Sequence, residues 1–143
     1  MPGRAKAVSN GASLIAEVKK IAEKLDLELH EQVEVGRRLW GARRKIDIVM
    51  IEKINRKSIG IECKFQGTPG TAEEKIPATV NDIIAWPIPG LVVFAGEGFT
   101  PNMISYLLAS GKAVELADLE QWLRLFYGFA LPKKHEERSL FDS

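Results

Sequence analysis

The run Leu91-Val92-Val93-Phe94-Ala95 constrains the fold more than any other stretch. Five apolar residues in a row, with no polar alternation, read as a strand buried on both faces at the centre of a sheet. A rigid connection, Trp86-Pro87-Ile88-Pro89-Gly90, leads into it, and Gly96-Glu97-Gly98 ends it. That glycine pair is not a phosphate-cradling loop, because the P-loop spacing and its Gly-Lys-Ser/Thr ending are missing.

The elements on either side follow from periodicity and punctuation. An amphipathic helix runs to about Leu27, capped by Ser9, Asn10 or Ser13, with Leu14, Val18, Ile21 and Leu25 as its apolar stripe and Ile15 and Ala22 widening it. Three strands are expected next, over Glu31–Trp40, Lys45–Ile51 and Lys57–Gln66, with turns at Gly41-Ala42 and Asn55-Arg56-Lys57. Asn55 is the residue expected to take the left-handed geometry of the second turn. Thr71 and Glu74 form a helix start; the helix is interrupted at Pro77 and runs towards Ile84. Beyond the central strand, Thr100-Pro101 opens a helix that Gly111 stops. A short strand over Ala113–Leu116 precedes a last helix from Asp118, striped by Leu119, Trp122, Leu123 and Phe126. The order is helix, three strands, helix, strand, helix, strand, helix, an α/β protein.

Composition narrows the function. The 143 residues make one domain over 1–143, with a loose basic arm at 1–8 and a charged, flexible tail at 133–143. A net charge of +1 excludes a generally polybasic binder, so any affinity for nucleic acid rests on local patches. One cysteine, Cys63, rules out an internal disulfide and a multi-cysteine metal site. It sits between Glu62 and Lys64, points to the opposite strand face and reads as a small core residue. No run is long and apolar enough for a membrane span, and the N-terminus lacks a signal-peptide core, so a cytoplasmic location is expected.

The chemistry concentrates in the stretch Arg44–Gln66. Asp47 interrupts a run of apolar and β-branched residues where a half-buried hydrophobe is the norm. Glu62 and Lys64, two apart on a strand, project to one face, and an antiparallel return brings Asp47 to the same end of the sheet. Two carboxylates there suit a hard divalent cation, and the lysine beside them can orient a water or stabilise charge on a phosphate. A strand-edge ion pair between Glu62 and Lys64 is the plain alternative.

Asp47 followed by Glu62-Cys63-Lys64 resembles the PD-(D/E)xK nuclease superfamily, with Ile46 standing where the family name has proline. Glu62-Cys63-Lys64-Phe65-Gln66, followed by Thr71-Ala72-Glu73-Glu74-Lys75-Ile76-Pro77, is similar to restriction-enzyme-like and homing-endonuclease-like members. The resemblance implies a restriction-endonuclease-like core, a mixed four- to five-stranded sheet flanked by helices, with the site where the hairpin strands splay. It implies catalysis by Asp47, Glu62 and Lys64, with Mg²⁺ (or Mn²⁺) held by Asp47, Glu62 and the Cys63 backbone carbonyl. Glu17, on the edge of the first helix's stripe, either joins that metal cluster or is a surface carboxylate. Gln66 and Lys75 either support the site and touch phosphate, or only satisfy backbone groups and solvent.

DNA is the expected substrate. Arg37, Arg38, Arg43, Arg44 and Lys45 form either a positive rim for the phosphate backbone or a solvated hairpin kept soluble by its charges. Trp40 beside them reads as core. A chain of this size cuts both strands most easily as a homodimer or higher homo-oligomer. Trp122, Phe126, Tyr127 and Phe129 are the candidate interface, or simple packing. The leading function is a Mg²⁺-dependent DNA endonuclease. The alternatives are a structure-selective nuclease of the Holliday-junction resolvase kind and a non-catalytic nucleic-acid-binding module on the same fold.

Overall fold

The computed structural model describes residues 8–37, 41–68 and 75–131. Several expectations lie outside them: the basic arm apart from Val8, Arg38, Trp40, the helix start at Thr71 and Glu74, and the charged tail. The elements are α1 (Gly11–Lys24), β1 (Glu28–Arg37), β2 (Arg43–Ile51), β3 (Ser58–Phe65), α2 (Lys75–Ile84), β4 (Gly90–Ala95), α3 (Pro101–Ala109), β5 (Ala113–Glu115) and α4 (Leu119–Tyr127). A 3₁₀ turn over Leu116–Asp118 joins β5 to α4.

The five strands lie in chain order, β1 to β5. β1, β2 and β3 are antiparallel neighbours, whereas β3, β4 and β5 run parallel. Short turns can return a chain antiparallel, but parallel neighbours need a crossover, and α2 and α3 supply the two crossovers. Both move the same way across the sheet, so crossovers of one hand put both helices on one face. Ile76, Val80 and Ile83 of α2 and Met103 and Leu107 of α3 pack there with Val92 and Phe94. On the other face, Leu14, Val18 and Ile21 of α1 and Leu119 and Leu123 of α4 cover Ile48, Met50, Ile59, Ile61, Leu91 and Val93. β4 thus alternates between two dry layers, which is why its sequence shows no polar residue.

Local chemistry sets the boundaries. Asn10 caps α1: its Oδ1 accepts from Ser13 N–H at 2.8 Å while Ser13 Oγ accepts from Asn10 N–H at 3.0 Å. Thr100 does the same for α3, taking Met103 N–H, with Pro101 in the first turn. Gly128, left-handed at φ +74°, ends α4, a stop the sequence reading did not mark. Pro77 does not interrupt α2, which is continuous over Lys75–Ile84. It is the third residue of the described helix, and its fixed φ of about −65° suits helical backbone.

The β2–β3 turn differs from expectation. It occupies Lys53–Asn55, because Glu52 takes the N–H groups of Ile54 and Asn55 on its carboxylate, each at 2.7 Å. Arg56, not Asn55, carries the positive φ (61°), held by two guanidinium bonds to Glu28 at 2.7 and 3.1 Å.

The aromatic residues at the C-terminal end form a ladder packed against the α1/α4 layer. Trp122 stacks on Phe126, Phe126 meets Tyr127 edge-on, and Tyr127 stacks on Phe129, with centroids 4.9–5.4 Å apart. Tyr127 donates its hydroxyl to Met50 O at 2.8 Å, and Lys57 Nζ lies 4.3 Å from the Phe126 ring centre. No helix among the described residues is long and apolar enough to cross a membrane.

Candidate active site

The site forms where β2 and β3 part. Their pairing register covers Ile48–Ile51 with Ser58–Ile61. Strict alternation would turn Ile46 and Ile48 to the same face, yet Ile46 is buried in the α2/α3 layer and Ile48 in the α1/α4 layer. The break in alternation falls at Asp47. Across the gap, Gly60 N–H goes to Pro89 O at the sheet's β4 side. Period two therefore turns Cys63 N–H towards β2, where Asp47 Oδ2 accepts it at 2.9 Å. A side-chain carboxylate has entered a sheet edge and is fixed there by a backbone donor.

Glu62 is a hydrogen-bonded neighbour of Asp47, and its carboxyl is pushed up to about 8. Burial is the main cause, followed by the hydrogen bond to Asp47 and the charge of that carboxylate; Asp82 adds to the rise and Lys64 opposes it. Two carboxylates this close repel when both are charged, and a proton on Glu62 or a bound cation relieves that repulsion. Glu62 and Lys64 pair with Val92 and Phe94 of β4 and share their face, under α2. With Lys75, Ala78, Thr79 and Asp82 of α2 they line an open cavity of about 280 Å³. Thr79 is buried and donates its hydroxyl to Lys75 O at 3.0 Å.

Asp82 was missed by the sequence reading. The available signal was spacing: Lys75, Thr79 and Asp82 lie four and seven residues apart, on one helix face. Asp82 Oδ1 accepts Arg44 Nε at 2.9 Å, and both side chains are largely buried, so Arg44 is turned into the fold. The other members of the expected rim are placed as follows. Arg37 donates to Gly41 O at 2.8 Å, Arg43 is paired with Glu34, and Lys45 is exposed. Glu17 sits on α1, on the opposite layer from Lys64, with its carboxylate on Lys20 Nζ at 3.2 Å. Cys63 is half-buried against the α1/α4 layer, as a small core residue should be, and burial raises its thiol.

Gln66 is tied to the loop after β4. Gly98 N–H donates to Gln66 O at 2.7 Å, and Gln66 Nε2 to Gly98 O at 3.2 Å. Gly96, at φ +110°, passes so close that a Cβ would lie 2.2 Å from Gln66 O. Gly96→Ala is accordingly expected to lower stability by about 2 kcal/mol or more, combining a forbidden φ with a backbone clash. Thermal unfolding checks this: a midpoint within 1–2 °C of the parent, against the fall of roughly 4–8 °C expected, would show that the two loops are not locked together.

Asp47 and Glu62 offer the oxygen donors that Mg²⁺ prefers, and one or two carboxylates with waters are its usual protein share. Among the described residues no group of three or more His, Cys, Asp or Glu side chains gathers as a metal site. The raised Glu62 carboxyl fits a place where a cation relieves the repulsion a proton relieves otherwise. The donor set therefore fits a divalent ion completed by backbone and water oxygens.

Residues 6–126 match the family model of the PD-(D/E)XK nuclease superfamily domain, and the chain belongs to that superfamily. Members generally use divalent metal ions, which agrees with the Asp47–Glu62 pair. No curated protein matches. Among solved structures, the chain is similar to a protein of unknown function, AF1548, at 18% identity and a TM-score of 0.52, over 71% of this chain and 57% of that one. It is similar also to Can2 from Sulfobacillus thermosulfidooxidans, solved in complex with cyclic tetra-adenylate, at 19% identity and a TM-score of 0.51, over 80% of this chain and 35% of that one. The chain thus spans about a third to just over half of the length of these structures. They share its fold: a mixed five-stranded sheet flanked by four helices.

Proposed function

We propose that the protein is a metal-dependent DNA endonuclease acting through Asp47, Glu62 and Lys64. The observation that carries this reading is the Asp47 carboxylate, held by Cys63 N–H at 2.9 Å beside Glu62, which itself lines a cavity with Lys64 and Lys75. In this reading Asp47, Glu62 and the Cys63 carbonyl hold Mg²⁺, with Mn²⁺ able to replace it. A bound divalent ion polarises the phosphate and lowers the cost of charge on the leaving oxygen. Lys64, fixed on the same strand face as Glu62, orients the attacking water and faces the negative charge that builds on the phosphoryl oxygens. The water oxygen bonds to phosphorus as the P–O3′ bond breaks; the water's proton passes to solvent and the leaving O3′ takes one from solvent, giving a 5′-phosphate and a 3′-hydroxyl. Lys75, across the cavity, holds the phosphate of the bound strand. Lys45 and Arg37 extend the positive surface along β1 and β2, where phosphate contacts set position rather than sequence. A symmetric homodimer brings two such sites to the two strands of a duplex.

The test is cleavage of supercoiled plasmid, branched junction and single-stranded DNA in Mg²⁺ or Mn²⁺, beside Asp47→Ala. Cutting that needs the metal and is lost in Asp47→Ala, by at least about a hundredfold, supports the reading, and the preferred substrate separates duplex from junction enzymes. Equal cutting by parent and variant places the activity elsewhere. Tight duplex binding without cutting makes the protein a binding module.

A further inference from the structure

We propose that Arg44 and Asp82 are a positioning pair: they hold α2 against the strand that carries Asp47 and keep the cavity's charge balanced, so that a substrate phosphate meets Lys64 and Lys75 instead of an uncompensated carboxylate. This rests on the nuclease reading above. Arg44 lies three residues before Asp47 on β2, and Asp82 lies seven after Lys75 on α2. Their ion pair, 2.9 Å long, therefore links the strand that bears the first carboxylate to the helix that walls the cavity. The side chains are only 19% and 13% exposed, so solvent screens the pair poorly and neither charge is free to swing to the surface.

The charges around the cavity explain why both partners are needed. Asp82 is a further acid on the cavity that Glu62 lines. Its negative charge favours a cation and disfavours a phosphate across the same small volume. Arg44 cancels that charge from behind. Its guanidinium also spans the gap between β2 and α2 through a planar, directed bond, which a flexible ammonium does not reproduce equally well. Lys64 and Lys75 then remain the cations that line the cavity with Glu62.

This arrangement predicts effects of opposite sign that loss of stability alone cannot produce. The full chain is compared with Arg44→Gln, Asp82→Asn, the double variant and Arg44→Lys. Mn²⁺ affinity is measured by calorimetry without DNA, and affinity for a 20-base-pair duplex by anisotropy in EDTA. Arg44→Gln is expected to bind Mn²⁺ more tightly and duplex more weakly. Asp82→Asn is expected to do the reverse, with each shift about three- to tenfold, the size of one unit charge about 4 Å away at the water-like dielectric of an open cavity. The double variant should return to within about twofold of the parent in both, because its net charge is restored. Arg44→Lys keeps the charge and serves where Arg44→Gln fails to fold; its shifts should stay within about threefold.

Shifts of the same sign in both single variants, or no shift in either, would overturn the pair's electrostatic role. A parent that binds Mn²⁺ but no duplex sinks the nuclease reading, while the Mn²⁺ shifts still decide the pair. A parent that binds neither overturns both.

Discussion

Lys64→Ala is expected to slow single-turnover DNA cleavage in Mg²⁺ by on the order of 10²- to 10³-fold, the usual cost of removing one aimed charge from a transition state. Lys64 is half-buried at the end of β3, one side-chain repeat from Glu62 and on the same face. Its place is set by the β3–β4 register, so the ammonium meets the phosphate without first having to be ordered. On the proposed reading the loss should appear in the chemical step, not in binding, since Lys75 and the strand surface would still hold the duplex. Lys64→Arg should rescue little, because the guanidinium is larger, planar and differently hydrated. Rapid-quench kinetics at saturating enzyme provide the measurement. A rate for Lys64→Ala within tenfold of the parent would remove Lys64 from the catalytic machinery.

The second large effect concerns stability and its dependence on pH. Glu62 is held in the folded protein at about 8, against an ordinary 4.5. The folded state therefore binds this proton more tightly than the unfolded chain does. Its contribution is fully present below about 4.5 and is lost as pH rises through about 8. At about 1.4 kcal/mol per unit of separation the upper bound is about 5 kcal/mol, and with water entering the open cavity metal-free protein should lose roughly 2–4 kcal/mol across that window. Glu62→Gln replaces the protonated carboxyl by a neutral amide that can still donate to Asp47. It should match the parent near pH 5 in EDTA and exceed it at pH 8.5 by roughly 5–10 °C in Tm. Saturating Mg²⁺ should reverse the order at pH 8.5, because binding to the native state alone adds stability by mass action. Superimposable pH–Tm curves for the two proteins in EDTA would falsify the raised Glu62 carboxyl.

Much of the architecture was legible because it depends on short-range rules. The apolar run Leu91–Ala95 announced a strand between two layers, and β4 lies there, with α1 and α4 on one face and α2 and α3 on the other. The cap at Thr100 was readable, and Asn10 was one of three candidates for the first helix, because the donors they satisfy lie three residues away. The turn after β2 was misplaced for the same kind of reason. Glu52 acts through a side-chain cap that no turn propensity records, and it moves the left-handed residue from Asn55 to Arg56.

The sequence by itself determined the strand and helix order and the juxtaposition of Glu62 with Lys64, because side-chain direction on a strand repeats every two residues. It also marked Asp47 as misplaced among hydrophobes. Only the tertiary structure decided that Asp47 takes the Cys63 N–H and that burial beside Asp47 raises the Glu62 carboxyl. It alone showed that Gln66 is locked to Gly98, and that Arg44 and Asp82 meet across 38 residues of chain. These are consequences of burial and of contacts between layers. A carboxyl's proton affinity depends on what surrounds it after the layers close, and a pairing between strand and helix depends on how the crossover seats α2 on the sheet.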